Sequence, residues 1–157
     1  MKLIFLDVDG VLNSEKWYVK LDKLGKPTDS DNMELQKHSL KYLSKLVKKT
    51  GAEVVVSSTW RMGYPNHKSW YNLETQLKEY GIEIQGITPV MWEKRGIEIQ
   101  KYLDNLTDDG YNIDAMVIID DDNDMEHLSK FLVQTKFKNG FTYFDYRKAL
   151  KMLKKGV

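Results

Sequence analysis

Five short apolar runs, each cut off by polar residues, constrain the fold of this chain more than any other feature. They are Leu3 to Leu6, Val54 to Val56, Met116 to Ile119, Phe131 to Val133 and, more weakly, Ile82 to Ile87. Apolar residues without alternation suit strands covered on both faces, as in a parallel sheet. Helical patterns lie between them. The spacing of Leu35, Ser39, Leu43, Leu46 and Val47 predicts a helix over about Asn32 to Lys49, with Asp31 and Glu34 as a capping box and Gly51 beyond its end. Further helices are predicted over Lys68 to Tyr80, over about Gly96 to Asn105, over Met125 to Lys130, and from a Thr142 cap to about Lys154. Strands alternating with helices predict a right-handed, doubly wound α/β sheet of about five parallel strands. The least regular stretch, Asn13 to Ser30, is expected to be a loop insertion over one edge of that sheet.

At 157 residues the chain suits one domain with a substantial core. Its 24 Lys and Arg balance 23 Asp and Glu to a net charge of +1, so no global field draws it to a polyanion or a membrane surface, and any such attraction must be local. The absence of cysteine excludes disulfides and thiolate metal sites. A cytoplasmic location is the expectation, because the apolar run before Asp7 is too short for a signal peptide and no stretch approaches a membrane span. The three histidines, at 38, 67 and 127, are too scattered to mark a zinc site.

The first run leads directly into Asp7-Val8-Asp9-Gly10, placing two carboxylates at the carboxyl end of a strand, where α/β sheets hold their ligands. An isolated Asp-x-Asp-Gly is often only an acidic turn. Here, however, it follows a first strand that has no hairpin partner to join. The second run ends in Ser57-Ser58-Thr59, whose hydroxyls and N–H groups can hold phosphate oxygens or merely begin a turn. The run Met116 to Ile119 ends in Asp120-Asp121-Asp122-Asn123-Asp124, a concentration of like charge that a hard divalent cation would neutralise. An EF-hand does not fit, since Met125 and Phe131 stand where its Gly and closing Glu belong.

In order, these motifs read LIFLDVDG, VVVSS, Lys94-Arg95 and VIIDDDND, and they resemble the four marks of the haloacid dehalogenase (HAD) superfamily. DVDGVLN, SSTWR at 57–61 and RGIEIQKYL at 95–103 resemble the small HAD domain of RNA-repair and phage end-healing proteins. The resemblance spans Leu3 to about Thr142. It implies a Rossmann-like core of strand order 3-2-1-4-5 with little or no cap. It also implies a magnesium-dependent phosphatase in which Asp7 attacks phosphorus and Asp9 is general acid and base, starting protonated. Mg²⁺ would then be held by Asp7, the Asp9 carbonyl and Asp120, with Asp121 or Asp124 acting through water. Ser57, Ser58 and either Arg95 or Lys94 would bind phosphate, with Arg95 preferred because it directly precedes Gly96 at a helix start.

The resemblance implies that a cap, where present, is inserted after the first strand or after the third, and both gaps are too short here for a folded cap domain, so a bulky phosphate monoester is expected to enter. Lys16, Trp17, Tyr18, Lys20, Lys23 and Lys26 lie in the insertion, and Trp60, Arg61, Tyr64, His67 and Trp70 follow the second strand. Aromatic and basic side chains so mixed can stack a base and track a backbone, with Trp17, Trp60 and Arg61 as candidates, or can simply pack the loops. The expected substrate is a 3′-phosphorylated nucleic-acid end or a nucleotide. Two alternatives are a small-metabolite phosphatase and a HAD-like binding module without turnover. A P-loop kinase and a Ser-nucleophile hydrolase are excluded, because neither GxxxxGK nor GxSxG is present.

Overall fold

The structure, a computed structural model, describes residues 1–156. Strands β1 (Lys2–Leu6), β2 (Glu53–Val56), β3 (Ile84–Ile87), β4 (Ala115–Asp120) and β5 (Leu132–Gln134) form one parallel sheet. Their order, β3-β2-β1-β4-β5, is the one expected. The helices are α1 (Glu15–Lys23), α2 (Lys37–Thr50), α3 (Lys68–Glu79), α4 (Arg95–Asp108) and α5 (Tyr143–Lys155), with 3-10 turns at Thr59–Gly63 and Glu126–Phe131.

The unbroken apolar runs are explained by two cores. Ile4 and Leu6 of β1 point into the larger one with residues of α2, α3 and α5, among them Leu43, Leu73 and Leu153. Leu3 and Phe5 point into the smaller one with Ile99 and Leu103 of α4 and Leu128 of the second 3-10 turn. Among the described residues no helix is long and apolar enough to cross a membrane.

Three local expectations are corrected. The stretch Asn13 to Ser30 is not all loop: it contains α1, whose first turn is capped by Ser14 Oγ accepting from Trp17 N at 3.2 Å. The helix predicted from Asn32 begins only at Lys37. Met33 and Leu35, each 1% exposed, are alternate residues buried in the core, and Gln36 N donates to Leu12 O at 2.7 Å, which holds this segment outside the helix. The capping box is therefore not formed; Glu34 pairs with Lys26 at 3.1 Å instead. Finally, Phe131 closes the 3-10 turn that replaces the fourth predicted helix, so β5 starts one residue later than its apolar run.

Candidate active site

Strand register builds the site. Leu6 lies opposite Val56 on one side and Ile119 on the other, so the residues that follow, Ser57, Asp7 and Asp120, form a row on the carboxyl edge. Each strand continues the ladder by one bond: Ser57 N donates to Leu6 O at 2.9 Å, Asp7 N to Ile119 O at 3.0 Å and Thr88 N to Val56 O at 3.1 Å. The backbone thus fixes where these side chains start.

An oxygen from each of Asp7, Asp120 and Asp121 falls within 4.8 Å of the others. Burial raises the Asp7 pKa to about 6, although Arg95, the Val8 N–H and the Ser58 hydroxyl pull it down. Asp120 is pushed up to about 8, first by burial and then by the charge of Asp7. Asp121 is also raised, again chiefly by burial. Three carboxylates so placed repel one another, and their all-oxygen donor set suits a hard cation such as Mg²⁺. Asp120 Oδ2 points the same way, being buried and without a hydrogen-bond partner.

Among the described residues five buried side-chain polar atoms lack a partner, and four belong to this region: Ser57 Oγ, Thr88 Oγ1, Asp120 Oδ2 and Arg95 Nη1. An orphaned buried polar atom costs about 1–3 kcal/mol, so four together signal a site completed by a ligand. Two hydroxyls and a guanidinium suit anionic oxygens, and the carboxylate suits a cation.

The carboxylate of Asp9, from which only the backbone carbonyl is expected to meet a cation, lies outside the metal group. Its Oδ1 accepts from Asn13 Nδ2 at 2.8 Å and from Tyr18 Oη at 3.4 Å, and its Oδ2 accepts from Trp60 Nε1 at 3.2 Å. Asn13 also accepts from Gly10 N at 2.9 Å through Oδ1, tying the turn to the acid it presents. Gly10 has φ +79°, and a Cβ there would collide with the Asp121 carboxylate, so only glycine admits the close approach of the two loops. Beside Asp9 opens a cleft of about 520 Å³, walled by Tyr18, Met33, Trp60, Met62 and His67. Burial, then Asp9's charge, raises Tyr18 to about 12, which keeps its hydroxyl a donor.

The basic candidates separate cleanly. Lys94 is exposed and pairs with Glu126 at 2.7 Å, whereas Arg95 acts on Asp7 and Asp120 and keeps its buried Nη1 free. Gly96 lets α4 bring Arg95 in, since a Cβ there would strike the backbone of Met125.

Several candidates are placed otherwise than expected. Asp124 is not in the metal group; its Oδ2 accepts from Arg95 N at 3.1 Å at the start of α4, the usual use of an acid there. Arg61 is 4% exposed and cannot track a nucleic-acid backbone. Its guanidinium donates to Thr88 O, Ser57 O, Ser58 O, Pro89 O and Glu98 Oε2, which uses its whole donor set to hold the β2 and β3 exits. Trp17 does not line the cleft; its Nε1 donates to Glu34 O at 2.7 Å, and Tyr18 faces the cleft instead. Ser58 Oγ accepts from Trp60 N at 3.2 Å, capping the 3-10 turn that brings Trp60 to Asp9. The sequence alone does not bring Asn13, Thr88 and Glu98 to this region, and it offers Tyr18 only among the mixed aromatic and basic side chains of the insertion; of the first three, only Asn13, at a short fixed distance from Asp9, carries a local signal.

No curated protein matches the chain. The family model described as the HAD domain in Swiss Army Knife RNA repair proteins matches residues 3–145, which hold nearly all of the sheet and helices α1 to α4, and the chain belongs to that family.

Proposed function

We propose that this chain is a magnesium-dependent phosphomonoester hydrolase that works through an aspartyl-phosphate on Asp7, with a 3′-phosphorylated nucleic-acid end or a nucleotide as substrate. The observation that carries this reading is the row Ser57, Asp7 and Asp120 with Arg95 over it, three of whose four members keep an unpartnered buried polar atom. Ser57, Thr88 and Arg95 would hold the phosphate oxygens. An Asp7 oxygen would then attack phosphorus in line, forming the acyl-phosphate bond as the ester P–O bond breaks. Asp9 would give its proton to the leaving oxygen, then take one from the water that hydrolyses the acyl phosphate. A cation held by Asp7, Asp120 and Asp121 would supply electrostatic relief between nucleophile and phosphate. Arg95, not Lys94, is the phosphate ligand in this reading, and Asp121, not Asp124, is the supporting acid.

The family's description supports a nucleic-acid substrate, and the cleft beside Asp9 is open and large enough for a nucleoside. The test is a panel of 3′-phosphate oligonucleotides, nucleotides, sugar phosphates and an aryl phosphate, each with and without Mg²⁺. Release of phosphate that needs Mg²⁺ and is fastest on the first two is expected. Asp7→Asn should abolish release while leaving the circular dichroism spectrum unchanged; turnover at the wild-type rate by that variant refutes the assignment. Preference for sugar phosphates points to a small-metabolite enzyme, and no turnover of any substrate to a binding module.

A further inference from the structure

Two grooves share none of the residues that line the cleft. One, of about 370 Å³, runs between α1 and α2 and is bordered by Trp17 and Lys20. The other, of about 570 Å³, lies between α2 and the start of α5 and is bordered by Tyr42, Tyr143 and Phe144. They share His38, and Gln36 Nε2 in the first donates to Asn139 O in the second at 2.9 Å, so they form one continuous face.

Charge is concentrated there. The lining carries Lys20, Lys26, Lys37, Lys41, Lys136 and Lys148, all exposed, against Glu34 and Asp145, a net of +4 with His38 neutral. The whole chain carries only +1, so the remainder is net acidic. Both acids are already engaged, Glu34 with Lys26 and Asp145 with the N–H and hydroxyl of Thr142. Among the described residues the other five lysines have no ion-pair partner. Rings accompany the charge: Phe144 is 75% exposed, and Tyr143 lies 5.9 Å from both Tyr42 and Phe144, centroid to centroid.

We propose that this face binds single-stranded nucleic acid, its lysines meeting the phosphates and its rings stacking unpaired bases. Like charge disfavours a second copy of the same face as occupant. Because α1 turns Tyr18 into the cleft and Trp17 and Lys20 into the first groove, a strand whose end lies at Asp9 crosses α1 to reach the face. The proposal deepens the substrate reading above, on which it rests for the role of the bound strand.

The experiment is fluorescence anisotropy with a 5′-labelled single-stranded RNA of about twelve nucleotides, the size range of common single-strand platforms, ending in a 3′-hydroxyl so that no scissile monoester is present. Wild type should bind with an affinity that falls steeply with salt, and more tightly than it binds a duplex of equal length. The double variant Lys37→Glu/Lys41→Glu should lose about tenfold or more in affinity and flatten the salt slope, and Phe144→Ala should weaken binding at high salt. Aryl phosphate hydrolysis by these variants should stay at the wild-type rate. Unchanged RNA affinity in the double variant, equal duplex binding, or a preference for phosphatidylserine vesicles overturns the proposal. If wild type binds RNA but hydrolyses nothing, the catalytic reading fails and the binding face stands.

Discussion

Asp9 accepts three hydrogen bonds from side chains on three different segments: Asn13 in the turn, Tyr18 on α1 and Trp60 in the 3-10 turn after β2. Such convergence fixes the direction of a carboxyl group more firmly than any rotamer preference, and general acid catalysis is sensitive to direction. Trp60→Phe keeps the buried ring but removes the donor to Oδ2, and Tyr18→Phe does the same at Oδ1. If Asp9 is the general acid proposed above, each should lower kcat on an alkyl phosphate by roughly 10–100-fold, a part of the roughly 10²–10⁴-fold that general acid catalysis contributes. On an aryl phosphate, whose leaving oxygen needs little protonation, the loss should be far smaller. Equal losses on both substrates in steady-state assays would show that the two residues serve the fold and not the acid.

The loop after β2 and the start of α4 are joined by a buried ion pair, Arg61 with Glu98, both about 4% exposed. Glu98 Oε1 also accepts from Met91 N at 2.8 Å, so one carboxylate ties α4 to the β2 and β3 exits. Removing one partner of such a pair leaves a buried charge uncompensated, which costs roughly 3–5 kcal/mol. Glu98→Leu should therefore lower stability by about that much in urea unfolding. A loss under about 1 kcal/mol would mean that solvent already reaches Arg61. The same elements show what a sequence can reveal. Four strands were readable because an unbroken apolar run marks each, while β3, interrupted by Gln85 and Gly86, was readable only weakly; the candidate row Ser57, Asp7 and Asp120 was legible because its members directly follow such runs. The helix α1 was not, since among its residues only Leu21 is fully buried and the polar surface around it resembles a loop. Nor could sequence separate Arg61 as a buried brace from Arg61 as a ligand, or Asp121 from Asp124. Those distinctions depend on partners far away in the chain, Glu98 and Gly10 among them.

For the molecule as a whole, the carboxyl edge opposes folding while the core drives it. Asp7 and Asp120, ordinarily titrating at 3.8, are held up at about 6 and about 8, chiefly by burial. The folded state therefore binds more protons than the unfolded state between about pH 4 and pH 8, and without a cation its stability falls as pH rises through that window. Cation binding needs the deprotonated forms, so Mg²⁺ should stabilise little at pH 5 and most above pH 8. At about one hundred times its dissociation constant it should add about 2.7 kcal/mol, or roughly 5–10 °C in Tm for a domain of this size. Asp120→Asn removes both the repulsion and one of the proposed ligands, so its Tm without metal should exceed that of wild type at pH 8 while the gain on adding Mg²⁺ largely vanishes. Scanning calorimetry at pH 5 and pH 8, with and without Mg²⁺, reads all of this independently of turnover. A Tm that rises with pH in the metal-free protein, or an equal Mg²⁺ gain in Asp120→Asn, would place the cation and the strain elsewhere than on this row of acids.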